Sequence, residues 1–341
     1  MQEMSLDKIS DHLLYQFKSE SELVKLISEI STNFTKDREK IAKYIGEEKY
    51  VSAYTMFYLS TNLKKLEATL KKLDLDHHLL REMEIIDIGS GPGTFTLSFL
   101  KLNPNSKISI LEKSNLMIKQ GKKLVDGFFP NADVSYYSEL EKIPKKDKKR
   151  FGLFGHSANE MDEEFILKIV NKLELDFILF IEPGTKEFFS KARSLRTSLL
   201  HRYDIKYPCP SQKDCPMSDD DWCHQYLTIK QEKDVERLCQ LVKKDRRNLP
   251  ITIHFYELKN SKLLENASKV IRKYDVTKFS LEWQVCELKE DQNKLINLQV
   301  LKKTIPKDKL KRVDMIEAGD NIEYTLEKSF DDKIRGKLND T

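Results

Sequence analysis

Along residues 1–80 the apolar positions recur every three or four residues. "ESELVKLISEIS" and "REKIAKYI" have helical spacing, and Leu59, Leu63, Leu66, Leu70 and Leu73 step down one face by four, three, four and three. This predicts an N-terminal helical region over 1–80, with the leucines packed as a cap on a core. The pattern changes near residue 83. "MEIIDIGSGPGTFTLSFL" reads as a short apolar strand, a glycine turn and a helix, and "SKISILEKSNLMIKQGKKLV" repeats strand then helix. "ADVSYYS" is a third strand, "RFGLFGHSANEMDEEFILKIVNKL" a strand, loop and helix, and "DFILFIEPGT" a strongly apolar strand ending at Glu182. Strands that alternate with helices, and that are apolar throughout, imply a parallel sheet covered on both faces.

After the helix "EFFSKARSLRTSLL" the alternation stops. A cysteine-bearing stretch, "KYPCPSQKDCPMSDDDWCHQYL", and a helix, "KDVERLCQLVKK", are inserted over about 205–250. Strand-like "ITIHFYEL", a helix "SKLLENASKVIRKY" and strand-like "KFSLEWQVCEL" complete the predicted domain of residues 81–293. A C-terminal extension, 294–341, mixes short strand and turn signals with charges. No repeat or long low-complexity segment is present.

The chain of 341 residues is long enough for a substantial core. Nothing in it approaches eighteen consecutive apolar residues, so no membrane span is expected. The acidic start "MQEMSLDKISDHLL" has no apolar core of a secretory signal and is too acidic for a typical transit peptide. The expected compartment is a reducing cytoplasm, or the mitochondrion if the chain is eukaryotic. There, clustered cysteines bind metal more often than they pair as disulfides. Net charge is only +4, yet basic runs recur at 64–72, 119–123, 142–150, 243–247 and 307–312. Such runs can track phosphates, and they can equally be solvated faces.

Gly89, Gly91 and Gly93 place three of eleven glycines within five residues, directly after the strand "EIIDI". They let a nucleotide-like ligand approach the backbone at a helix N-terminus. The third glycine of a dinucleotide fingerprint is replaced by Thr94, and the Gly-Lys-Ser/Thr of a P-loop is missing. Glu112 closes the next strand about twenty residues on, where an acid can take both ribose hydroxyls of an adenosine. Asp87 can order the turn or meet the ligand's amino group. Together these residues resemble the class I S-adenosylmethionine-dependent methyltransferases. The expected fold is therefore α/β, a Rossmann-like sheet with an N-terminal helical region and a Cys-rich insert.

Acceptor chemistry is less distinct. The Asn/Asp-Pro-Pro-aromatic tetrad of amino-group methylases is replaced by "GHSANEM", which contains His156, Asn159 and Glu160. Pro208-Cys209 is the pair used by cytosine-C5 methylases, but it does not follow the fourth strand and lies within the cysteine stretch. Cys209 is therefore read as structural or metal-binding rather than as a nucleophile.

Three stretches in order, "IIDIGSGPGT", "IEPGTKEFFSKARSLR" and "YPCP…DCP…DWCH", resemble the methyltransferase-like proteins of the mitochondrial small ribosomal subunit and their bacterial relatives. The resemblance covers roughly residues 50–320. Ala158 to Met161 match that family's Leu-Asn-Glu-Leu-like loop, Glu182 to Thr185 its Glu-Pro-Gly-Thr, and Pro208 to His224 its cysteine run. Ser211 replaces the family's usual His after Pro-Cys-Pro. The resemblance implies an iron–sulfur cluster, of [4Fe–4S] type, held by Cys209, Cys215, Cys223 and one later cysteine. Cys239 lies at an apolar helical position, as a core thiol would. Cys286, at the end of a strand-like run near the close of the methylase sheet, is chosen as the fourth ligand. Zinc bound by four thiolates, or by three with His224, is the physical alternative. Either metal would fold the insert, with Trp222 shielding the site.

The resemblance implies a monomeric protein that binds S-adenosylmethionine and acts on the small ribosomal subunit or its rRNA, with Asn159 and Glu160 orienting the acceptor. Whether methyl transfer is catalysed is left open. One alternative is a non-catalytic ribosome assembly factor. Another is a small-molecule methyltransferase with structural zinc.

Overall fold

The computed structural model describes residues 4–36, 46–259 and 268–339. The chain divides into two compact units, residues 1–176 with 227–249, and residues 177–226 with 250–341.

In the first unit, helices Leu6–Ser10, Glu20–Lys36 and Glu48–Tyr54 precede a π-helical turn, Thr55–Leu59, and a short turn, Ser60–Asn62. Helix Lys65–Lys72 follows. The leucine stripe behaves as core: Leu59, Leu66 and Leu70 are buried and Leu63 and Leu73 partly so. The expected helix "REKIAKYI" lies outside the described residues. Four parallel strands follow, β1 (Glu84–Ile88), β2 (Lys107–Leu111), β3 (Val134–Tyr137) and β4 (Arg150–Gly155), in the order β3-β2-β1-β4. Helices Thr94–Leu102, Asn115–Phe128 and Glu163–Leu173 alternate with them. Every residue of β1 is buried, as a strand covered on both faces requires.

The first residue of β1 faces the first of β4. Glu84 Oε2 accepts from Arg150 Nε at 2.8 Å, both side chains being 2% exposed. Ser109 Oγ donates to Glu84 Oε1 at 2.7 Å, which brings β2 into the same network. Arg150 closes the basic run 142–150, so its guanidinium is spent inside the fold and is not offered to a phosphate. In the same run Lys146 pairs with Asp176 and Lys142 with Glu139. In the run 64–72, Lys65 is buried and Lys64 pairs with Glu232.

In the second unit β5 (Phe177–Pro183) and β6 (Tyr203–Tyr207) each run antiparallel to β8 (Asn248–Leu258), and helix Lys186–Leu199 joins β5 to β6. The parallel strands β1–β4 with their intervening helices are the α/β alternation expected of the sequence, whereas the antiparallel pairing of β8 was not expected. Residues 208–224 contain neither helix nor strand; β7 (Gln225–Thr228) and helix Lys233–Leu241 come after them.

The later chain departs from expectation. β9 (Ser268–Val276) takes up the last seven residues of the segment read as the helix "SKLLENASKVIRKY", whose first seven lie outside the described ones. β9 joins β10 (Ser280–Lys289), β11 (Gln292–Leu301), β12 (Asn321–Ile322), β13 (Tyr324–Ser329) and β14 (Ile334–Leu338) in a second sheet, ordered β12-β9-β10-β11-β14-β13. The pairing of β9 with β10 is interrupted by two register shifts, so its apolar positions do not alternate simply. Val270 packs with Trp283, Val285 and Val300, whereas its neighbour Ile271 packs with Cys286. Both faces are covered, and adjacent apolar residues imitate a helical pattern. Cys286 is accordingly not near the end of the methylase sheet; it lies within β10 of the second sheet.

Among the described residues, no helix is long and apolar enough to cross a membrane.

Candidate functional site

The glycine turn has the backbone its residues suggest. Gly89, Gly91 and Gly93 have φ of +67°, +55° and +86°, the left-handed region that glycine enters without penalty. Beneath them, Asp87 is fully buried. Its Oδ2 accepts from the Thr96 amide at 3.0 Å and the Thr96 hydroxyl at 2.7 Å, tying β1 to the helix that opens at Thr94. Its Oδ1 is buried with no hydrogen-bond partner. Burial, aided by the charge of Glu112, pushes the Asp87 carboxyl up to about 6. Glu112 Oε2 accepts from the Gly91 amide at 2.9 Å and Oε1 from the Ser114 amide at 2.8 Å. Burial raises this acid too, against those amides. A carboxylate offers about four lone-pair sites, so each Glu112 oxygen retains capacity to accept a hydroxyl.

The glycines differ in what surrounds them. A Cβ on Gly89 would lie 2.5 Å from the Ser157 Cβ, whereas one on Gly91 would meet nothing within 4 Å. The face over Gly91 is thus open, with the Glu112 carboxylate bonded to the Gly91 amide. Gly89→Ala is expected to cost about 2–3 kcal/mol, from backbone strain plus overpacking, in urea unfolding. Gly91→Ala should cost only about 1–2 kcal/mol, from strain alone.

Ser157 Oγ donates to the Ile88 carbonyl at 2.6 Å and so holds the loop after β4 against the glycine turn. That loop carries Asn159, partly buried, and Glu160, exposed, on a single 3₁₀ turn, Ala158–Glu160. His156, at φ +58°, has its Nε2 2.6 Å from Lys65 Nζ. Burial, Lys65 and Arg246 hold the imidazole well below its usual range, so it is neutral and accepts from the lysine. Tyr54 stacks on Tyr58 with centroids 4.9 Å apart. The Tyr54 hydroxyl is raised by burial, then by Glu160, Tyr58 and Glu112. Asp87, the glycines, Glu112, Asn159 and Glu160 all lie in the first unit. Tyr54, Lys65 and Arg246 were not anticipated around them. A buried lysine on the leucine-lined helix was the available signal.

The second unit holds the other predicted group. Cys286 packs with Phe189, Met217 and Ile271, and Cys215, Trp222 and Cys223 pack against the same cluster. Cys209 is close enough to raise the Cys223 and Cys286 thiols, although burial is the larger cause for both. The loop is anchored on two sides. Asn293 Nδ2 donates to the carbonyls of Lys213 (2.8 Å) and Asp214 (3.1 Å), and Arg272 donates to Asp221 at 2.7 Å. From helix Lys186–Leu199, Arg196 donates to the Ser211 and Lys213 carbonyls at 3.0 and 2.5 Å. Arg196 is 3% exposed, and the sulfurs of Cys209 and Cys215 help raise it. A charged residue on the stripe of Ala192, Leu195 and Leu199 marked this guanidinium in the sequence. Among the described residues, no group of three or more His, Cys, Asp or Glu converges closely enough to hold one metal ion. Cys239 lies in the first unit, on helix Lys233–Leu241.

No curated protein matches the chain. Solved structures similar to it include a precorrin-6y methyltransferase from Geobacter metallireducens, 18% identical, with TM-score 0.37, covering 56% of this chain and 87% of that one. Another is magnesium protoporphyrin IX methyltransferase from Synechocystis with bound S-adenosylmethionine, 8% identical, with TM-score 0.39, covering 69% of this chain and 97% of that one. Residues 48–304, well over half of the sequence, match the model of the family described as mitochondrial small ribosomal subunit Rsm22, and the chain belongs to that family.

Proposed function

We propose that the chain is an S-adenosylmethionine-binding, methyltransferase-like protein that acts on the small ribosomal subunit or its rRNA and carries a cysteine-ligated iron–sulfur cluster. The observation that carries the cofactor reading is the Glu112 carboxylate clamped to the Gly91 amide beside an open glycine face. Bound S-adenosylmethionine supplies an electrophilic methyl group on a sulfonium. The chain's part is alignment. Glu112 accepts the ribose hydroxyls, Asp87 Oδ1 is an acceptor at the base of the turn, and Asn159 and Glu160 orient the acceptor.

Glu112→Ala removes a charged acceptor and frees the Gly91 amide. It is expected to weaken S-adenosylmethionine binding roughly 10–100-fold in calorimetric titration, the equivalent of about 1.5–3 kcal/mol. Wild-type protein that binds no S-adenosylmethionine would end this reading. Tritium transfer from labelled cofactor to purified subunits separates an rRNA methylase from a non-catalytic assembly factor, and the absence of an acceptor tetrad favours the latter.

For the metal, Cys209, Cys215, Cys223 and Cys286 are the proposed ligands. Cys215 and Cys223 pack against the group that contains Cys286, which supports a shared role for these thiols, and zinc held by the same residues is the alternative. The buried Arg196 guanidinium offsets thiolate charge beside Cys209 and Cys215. Bound, the cluster would stiffen a loop with no regular secondary structure.

A further inference from the structure

The basic run 243–247 lines a cavity in the first unit. It follows helix Lys233–Leu241, with Lys243 at φ +54° and the Lys244 amide donating to the Cys239 carbonyl at 2.9 Å. The loop borders a cavity of about 250 Å³, lined by Lys243, Lys244, Arg246 and Arg247 and by two acids, Glu236 and Asp245. Arg247 is spent on Asp245, with contacts of 3.1 and 2.8 Å. Among the described residues Lys243, Lys244 and Arg246 form no side-chain hydrogen bond or ion pair, and Arg246 Nε is buried without a hydrogen-bond partner. Lys243 and Lys244, both exposed, thus line the cavity beside Arg246.

The arrangement is built rather than incidental. Gln231 Nε2 donates to the carbonyls of Thr61 and Arg246, both at 3.1 Å, and fixes the loop to the helical segment behind the π-turn. The Arg246 guanidinium lies 5.5 Å from the ring centroids of both Phe57 and Tyr58. Tyr58 in turn stacks on Tyr54. Single π-turns recur at functional sites, and a positively charged groove that tracks the backbone is how single-stranded nucleic acid is held.

We propose that this cavity binds a backbone phosphate of single-stranded RNA, held by Lys243, Lys244 and Arg246 next to the Tyr54–Tyr58 pair. The inference rests on the reading that the chain acts on rRNA, and it names the surface that does so.

The test is fluorescence anisotropy of a labelled 12-nucleotide single-stranded RNA with the full chain at several salt concentrations. Lys243→Ala/Lys244→Ala is compared with Lys145→Ala/Lys149→Ala, which removes two lysines from another basic run. The first pair should weaken binding about tenfold at low salt and flatten the log–log salt slope by about 0.7, the value for one phosphate contact on a single strand. The control should change affinity less than about twofold, as expected of charges that touch no phosphate. Equal losses in both pairs, or no loss in the first, would overturn the proposal. All four lysines are on the surface, so thermal unfolding of the variants should match wild type. S-adenosylmethionine titration on the same samples keeps the two readings apart. Its failure removes the cofactor assignment, and the RNA arm still decides the cavity.

Discussion

Arg150→Met should lower the unfolding free energy by about 3–5 kcal/mol, because it leaves Glu84 buried without its cation. The pair is 2.8 Å apart at 2% exposure, and Arg150 also donates to the Leu173 carbonyl at 3.2 Å and the Pro144 carbonyl at 2.7 Å. Only the Ser109 hydroxyl would still face the carboxylate. Removing both charges is a different perturbation. In Arg150→Met/Glu84→Leu nothing ionic remains to be desolvated, so most of the loss should be recovered. Urea unfolding of the two single variants and the double variant forms a cycle with an expected coupling of at least about 2 kcal/mol. A single variant that costs under about 1 kcal/mol, or a double variant as damaged as the single, would show that the network does not hold the strands. Glu84 begins β1, and the glycine turn begins where β1 ends. The pair therefore sets the register of the strand that presents Asp87 and Gly89.

That network also shows what could be read from residues alone. "EIIDIGSGPGT" announced strand, turn and helix because each requirement is local: unbroken apolar strand positions, glycines at left-handed φ, and a helix N-terminus after them. Glu112 was placed by its distance from the glycines. Its clamp on the Gly91 amide was not readable, since it depends on the parallel register of β1 and β2. Arg150 could not be placed from its basic run for a related reason: whether it is solvated or buried is settled by its partner on β1, 66 residues away. β9 was read as a helix because its two-sided burial and bulges erase the alternation that marks a strand. The β10–β11 hairpin turns on Glu290 and Asp291, both at positive φ, without the Asn-Gly or Asp-Gly pair that would have signalled it.

Cys286 tests the second sheet's part in the proposed cluster. Cys286→Ser should lose most of the bound iron and sulfide on anaerobic purification, while Cys239→Ser retains them. The asymmetry follows from surroundings. Cys286 is 5% exposed on a sheet face shared with Cys215 and Cys223, whereas Cys239 belongs to the other unit, on a helix beside the basic cavity. Serine keeps nearly the volume of cysteine, so lost iron would report a lost ligand rather than a cavity. Because ligation couples to folding, the same variant should also unfold at lower temperature than Cys239→Ser. Zinc without iron in the wild type would end the cluster reading. Full iron in Cys286→Ser would move the fourth ligand to Cys239 or to His224, whose Nδ1 is buried without a partner. Arg196→Met discriminates further. If its guanidinium offsets thiolate charge, iron should fall although no ligand has been touched; if it only ties down the Ser211 and Lys213 carbonyls, the loop should loosen with iron retained.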